Sequence, residues 1–225
     1  MRPSSPEDRL GVDVLPALDA LDADAVRLWS LTAADALEAH RLEIDELNVF
    51  PVPDGDTGTN MAVTVRAGAT ALAAADASDP GAALAEFARG AVLAARGNSG
   101  VILAQLLRGI ADAADGCDGY GWVQLRAGLA AGVTEAYTAV ADPVEGTILT
   151  VARAAAAAAA GDDRAAASDL PLPAGGQFAR QVRAAVRAAQ MALAHTPEQL
   201  PALARAGVVV AGGRGLVLLL DALAR

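Results

Sequence analysis

Glycine, proline and acidic clusters cut this chain into intervals of helix length, and almost none of those intervals alternates apolar and polar residues with a period of two. A strand needs that alternation or a run of β-branched and aromatic residues. Here the 54% hydrophobic content comes largely from alanine, leucine and valine, and aromatics make up only 3%. Alanine and leucine favour helix, so the pattern predicts an all-α protein and argues against a β-sandwich or barrel.

The first segment spans residues 19–47, with Val26, Trp29, Leu37, His40, Ile44 and Leu47 at helical spacing. Further segments are expected at 60–75, 80–96, 99–114, 120–140, 144–160, 175–194 and 213–224, with a short turn at 197–206. Eight helices in an antiparallel up-and-down arrangement then occupy one domain, residues 19–225, behind an N-terminal extension, residues 1–18. A chain of 225 residues can bury a core of that size without staples. The stretch GDDRAAASDLPLPAGG, 161–176, reads as a linker-like loop.

Charge and cysteine usage remove several classes of function. Seventeen basic residues against 27 acidic ones leave a net charge of −10, so nothing draws the chain generally to nucleic acid or an anionic membrane. The single Cys117 excludes an internal disulfide and a cysteine-rich metal centre, which fits a reducing compartment. The first twenty residues carry acidic side chains and prolines where a signal peptide is basic and then apolar. No apolar run approaches the roughly 18 residues that span a bilayer. A soluble cytoplasmic protein is expected.

Three connections are richer than ordinary helix-helix turns. In LNVFPVPDGDTGTNM, residues 47–61, Asp54 and Asp56 flank Gly55 in a proline-stiffened turn, so two carboxylates can converge on one point. Such a pair suits Mg2+, which takes one or two carboxylates together with phosphate oxygens and water, and Asn48 can add a neutral carbonyl ligand. Thr57, Gly58, Thr59 and Asn60 then offer hydroxyls and backbone N–H groups at a helix start, where phosphate binds. A plain turn with Asx caps uses the same residue types. The second connection, Ala95-Arg96-Gly97-Asn98-Ser99-Gly100, offers Asn98 or Ser99 as an N-cap. The third, Asp142-Pro143-Val144-Glu145-Gly146-Thr147, puts a carboxylate and a hydroxyl before another helix.

Placement joins them. With short loops, alternate helices begin at the same end, so the second, fourth, sixth and eighth starts share one rim, and those are the glycine-rich ones. The last includes Gly207 to Gly215, with Ala211, Gly212 and Gly213. Four partly positive helix N-termini around a carboxylate pair that needs a cation suit a metal-nucleotide complex.

At these residues the chain resembles the DhaL-type nucleotide-binding domain, specifically the branch found in bacterial fatty acid kinases, also called dihydroxyacetone kinase-related or DAK phosphatase proteins. LNVFPVPDGDTGTNM, ARGNSGVILAQ, PVEGTILTVA, TPEQLPALARAGVV and AGGRGL look like that branch's motifs, in its order, over roughly residues 20 to 225. The resemblance implies an eight-helix barrel with ADP or ATP and two Mg2+ ions at its open rim. It implies Asp54, Asp56 and Asn48 as metal ligands, and Thr57, Gly58, Thr59, Asn60, Asn98, Ser99, Gly146, Thr147, Ala211 and Gly212 around the nucleotide. Val210 stands where the family usually has an aspartate before the two glycines. Full fatty acid kinases continue into further segments that engage an acyl-carrying partner, so the resemblance implies a kinase domain incomplete without a partner or further domains.

The remaining candidates receive ordinary roles: His40 as a core histidine, His195 as a helix C-cap, and Asp45, one turn before Asn48, as an exposed helix carboxylate, with a place behind the metal ligands as its alternative, while Cys117 receives none. The expected function is Mg-ATP-dependent phosphoryl transfer to a fatty acid carboxylate presented by a lipid-binding partner, with no catalytic residue beyond the metal ligands. The alternatives are a dihydroxyacetone (glycerone) kinase L-type subunit working with a dihydroxyacetone-binding subunit, or a non-catalytic nucleotide-binding module. No nucleic acid and no membrane insertion are expected; a homodimer is left open.

Overall fold

A computed structural model describes residues 20–114, 117, 119–161 and 176–225. The expected N-terminal extension and nearly all of the expected 161–176 loop lie outside them.

Among the described residues eight long helices carry the architecture: α1 (Ala23–Ala39), α3 (Thr57–Ala73), α4 (Pro80–Ala94), α5 (Gly97–Asp112), α6 (Trp122–Thr138), α7 (Ile148–Ala160), α8 (Gln177–Ala194) and α11 (Ala211–Leu223). Three short ones, α2 (Arg41–Glu46), α9 (Thr196–Gln199) and α10 (Pro201–Ala206), connect them. Each long helix packs on the next in this order, and α11 packs back on α1, so the eight close into a ring. The all-α barrel expected from the sequence is the fold observed.

Alanine makes the ring tight. Ala33, Ala34, Ala83, Ala91, Ala136 and Ala189 are fully buried between helices, and Leu37, Ile44, Leu103 and Phe87 fill the larger gaps. Trp29 anchors one seam: its ring meets Phe87 edge-on at 5.5 Å, and its indole N–H donates to the Leu219 carbonyl at 3.0 Å. A two-residue antiparallel pair, β1 (Ala20–Leu21) with β2 (Tyr120–Gly121), ties the chain start to the start of α6.

Several sequence expectations need correction. The helix expected over 19–47 breaks at His40, whose backbone (φ −104°, ψ 9°) turns α2 away from the axis of α1. His40 is consequently no core residue: its side chain is 40% exposed and meets Glu43 at 2.6 Å. The turn at 197–206 is two short helices separated by Leu200 in extended conformation. Residues 20–21 and 120–121, placed in helices by periodicity, form the strand pair instead, because a two-residue strand is too short to show any alternation. His195 does close α8, its Nδ1 donating to the Met191 carbonyl at 2.7 Å.

Candidate functional site

The helices that start at one end of the ring are α3, α5, α7 and α11, and a cavity of about 160 Å³ lies where they meet. Thr57 of α3, Asn98 and Ser99 of α5, Thr147 and Ile148 at α7, and Val210, Ala211 and Gly212 at α11 all line it. A neighbouring cavity of about 430 Å³ shares Asn98, Ile102, Val140 and Asp142 with it. Of the nucleotide-shell candidates, Thr57, Asn98, Ser99, Thr147, Ala211 and Gly212 thus surround one space, whereas Gly58, Thr59, Asn60 and Gly146 are not part of its lining.

The backbone is open at this end. Among the described residues no partner is recorded for the N–H groups of Thr57 and Gly58, of Gly97, Asn98 and Ser99, or of Ala211, Gly212 and Gly213. The first backbone bonds of these helices are Asn60 N–H to Asp56, Gly100 N–H to Arg96 and Arg214 N–H to Val210. Asp56, Arg96 and Val210 occupy the three N-cap positions, and none makes a side-chain cap. Only α7 has one: the Thr147 hydroxyl accepts from Leu149 N–H at a long 3.4 Å. Unpaired N–H groups at helix starts that meet at one cavity are suited to anionic oxygen.

Beside the α3 start, Asp54 and Asp56 are both exposed, and Gly55 between them has φ +65°, a conformation glycine adopts without penalty. Asn48 is buried, and its amide nitrogen donates to Asp54 Oδ1 at 2.5 Å, which leaves its own carbonyl oxygen as a donor atom. Among the described residues no group of three His, Cys, Asp or Glu side chains could hold a metal. Two carboxylates plus an amide oxygen make an incomplete, all-oxygen donor set, which fits Mg2+ completed by phosphate and water better than a self-sufficient metal cage.

Two networks stiffen the surround. Asp45, expected to be an exposed helix carboxylate, is instead only 12% exposed, and it accepts both the N–H (3.0 Å) and the hydroxyl (2.8 Å) of Thr59. Periodicity along one helix could not show this, because the partner lies on the next helix. Glu145 is held by the Thr150 hydroxyl at 2.6 Å and by two nitrogens of Arg153 at 2.7 Å. The Thr150 bond, helped by Arg153 and opposed by partial burial, keeps its carboxyl below the usual range. Glu43 is likewise lowered, by Arg214 first and then His40. Gly146 N–H is taken by Thr150, and Val210 is buried, donating its N–H to Thr196 at 3.1 Å. Away from this end, a groove of about 1080 Å³ runs along α4 and α5 past Arg89, Leu93, Arg108 and Cys117, and it contains none of the glycine-rich turns.

Comparison with known proteins shows the family and the fold. The family model described as "DAK2 domain" covers residues 51–225. Protein YloV of Bacillus subtilis is 39% identical over 201 residues, 89% of this chain and 35% of that protein. An uncharacterized protein of Staphylococcus saprophyticus is 40% identical over 188 residues, 84% of this chain and 32% of its own. The chain therefore spans about a third of the length of these relatives. Among solved structures, the dihydroxyacetone kinase from C. freundii in complex with AMP-PNP and Mg2+ matches with a TM-score of 0.61 over 100% of this chain and 37% of that one. At 22% identity that likeness concerns the fold.

Proposed function

The chain belongs to the DAK2 domain family of DhaL-type nucleotide-binding domains, and from that premise we propose that it binds Mg-ATP at the open end and serves as the nucleotide half of a kinase acting on a fatty acid carboxylate. The observation that carries the reading is the convergence of three uncapped helix starts and the Thr147 start on one cavity beside Asp54 and Asp56. The likeness to a kinase crystallised with AMP-PNP and Mg2+ supports the ligand.

In this reading Asp54 and Asp56, with Asn48, would hold Mg2+, which when bound would neutralise charge on the polyphosphate. Thr57, Gly58, Asn98 and Ser99 take phosphate oxygens on N–H groups and hydroxyls, and Ala211 and Gly212 lie against the nucleotide. The cavities lined by Ile102, Val140 and Val144 give the base an apolar wall. An acceptor carboxylate oxygen attacks the γ-phosphorus, the bond to the β-γ bridging oxygen breaks, and ADP and an acyl phosphate result. A carboxylate brings no proton to remove at neutral pH, so a site with helix ends and carboxylates but no evident base is sufficient. In this reading the acceptor comes from a lipid-binding partner protein, as the resemblance of the site motifs to the fatty acid kinase branch implies. NVFPVPDGDTGTN favours the fatty acid over dihydroxyacetone as acceptor.

Calorimetry with Mg-ATP, followed by phosphoryl transfer assays with and without a fatty-acid-loaded partner, tests this. The expected result is nucleotide binding by the 225-residue chain with little turnover of free fatty acid or dihydroxyacetone. Rapid turnover of either free acceptor would contradict the partner requirement. Val210, which removes an acidic side chain from the rim, favours one second reading, a nucleotide-binding module without turnover; acyl phosphate formation with partner would exclude it.

A further inference from the structure

We infer that Asp45 is a positioning residue for this site, an inference that rests on the Mg-ATP reading above. Asp45 sits at the C-terminal end of α2 and reaches the site loop from both sides. Its backbone carbonyl accepts Asn48 N–H at 3.2 Å, and Asn48 in turn donates to Asp54 Oδ1 at 2.5 Å. Its carboxylate spans the other end of the same loop, Oδ1 on Thr59 N–H and Oδ2 on the Thr59 hydroxyl. One residue thereby fixes both ends of the segment, 48–59, that carries Asp54, Gly55 and Asp56.

Thr59 N–H is the third in α3, and its donation backward to Asp45 leaves the Thr57 and Gly58 N–H groups as the ones available to phosphate. A carboxylate this near a phosphate site would oppose the ligand if left alone. Arg41 offsets it, with Nη1 3.8 Å from Asp45 Oδ2 and 3.4 Å from the Thr59 hydroxyl. The contact also explains Gly58: a Cβ there would lie 2.1 Å from the Arg41 carbonyl oxygen and 3.0 Å from Asp45 Oδ1, so any larger residue would push α2 and its carboxylate off α3.

The test is calorimetric titration with Mg2+ and AMP-PNP of wild type, Asp45→Ala, Asp45→Asn, Thr59→Val and Asp54→Ala, each checked by thermal melting, with hydrogen exchange at the Thr59 amide as a readout independent of ligand. Asp45→Ala should weaken binding about tenfold and speed exchange at Thr59, whereas Asp45→Asn, whose amide oxygen still accepts the Thr59 N–H, should stay within about threefold of wild type. Thr59→Val, which loses one of the two bonds, should fall between them, and the double variant Asp45→Ala, Thr59→Val should bind no worse than Asp45→Ala alone. Wild-type affinity in Asp45→Ala overturns the inference. Should that variant fail to fold, unchanged affinity in Thr59→Val overturns it equally. Absence of binding by wild type, or undiminished binding by Asp54→Ala, removes the Mg-ATP site itself and the inference with it, a result distinct from a loss confined to the Asp45 variants.

Discussion

The two ends of the ring start their helices differently. At the far end, α1 and α4 begin on carboxylates: Asp22 accepts Ala25 N–H at 2.7 Å, Asp79 accepts Ala82 N–H at 2.8 Å, and Pro80 fills the first position of α4. The Gln124 side chain there reaches back to Gly121 N–H at 3.2 Å. At the open end, α3, α5 and α11 have no side-chain cap, and α7 has only the long Thr147 bond. Caps stabilise by about 1 kcal/mol each; α8 also begins uncapped at the far end, on Gly176, so what sets the open end apart is that three uncapped starts meet at one cavity, where the proposed ligand would supply the missing partners. On the proposed reading, the caps of α1 and α4 serve the fold and the open end serves binding.

The largest effect expected from this contrast is at the carboxylate pair. Asp54→Ala and Asp56→Ala should each weaken Mg-ATP binding by at least about 100-fold, while the melting temperature without metal stays unchanged for the exposed Asp56 and falls only modestly for Asp54, whose loss unpairs the Asn48 amide. Titration calorimetry and a thermal melt decide it; a steep loss of stability with normal affinity would make the 47–61 segment a structural turn.

Adding a cap at the open end sharpens the comparison. Val210 occupies the N-cap of α11 in extended conformation (φ −68°, ψ 125°) and lines the cavity. Val210→Asp should cap the helix and accept hydrogen bonds from a ribose, a base edge or metal-bound water, tightening Mg-ATP by about tenfold. Equal or weaker binding at saturating Mg2+ would mean that residue 210 is packing alone, in keeping with its burial.

The matching change at the far end should act on stability only. Asp79→Ala should cost about 1 kcal/mol, lowering the melting temperature by about 2 to 4 °C for a domain of this size, with Mg-ATP affinity unchanged. A fall in affinity of the kind expected for Asp54→Ala would erase the distinction between the ends.

How much of this was legible in the sequence follows the same division. Alanine-rich periodicity reads out the long helices, and short loops imply which starts share an end, so the convergence of Thr57, Asn98, Ser99, Thr147 and Gly212 could be anticipated without coordinates. Interactions between helices could not. The break at His40 leaves the apolar spacing of 19–47 intact, and its consequence, Asp45 turned onto Thr59, joins residues 14 apart in sequence through two different helices. Glu145 looked like a cap and is instead the centre of a Thr150, Arg153 and Tyr137 network.

That network gives the smallest predicted effect. The Glu145 carboxyl lies below its ordinary range in the fold, so it contributes stability above the usual carboxylate pKa and loses it as pH falls through the lowered value. Glu145→Gln should therefore be less stable than wild type at neutral pH, and the gap should close on acidification below about pH 4. Urea unfolding across that range checks the sign; a gap that widens in acid would show that Glu145 is not held as a carboxylate.

The central claim, that the uncapped end is the nucleotide site, is tested most directly by a crystal structure of the chain with AMP-PNP and Mn2+ in place of Mg2+, read by anomalous scattering. The account predicts metal between Asp54 and Asp56, phosphate oxygens on the N–H groups of Thr57, Gly58, Asn98 and Ser99, and the base against Ile102 and Val140. Metal and nucleotide in the α4–α5 groove beside Arg89 and Arg108, with the rim N–H groups left bare, would contradict it.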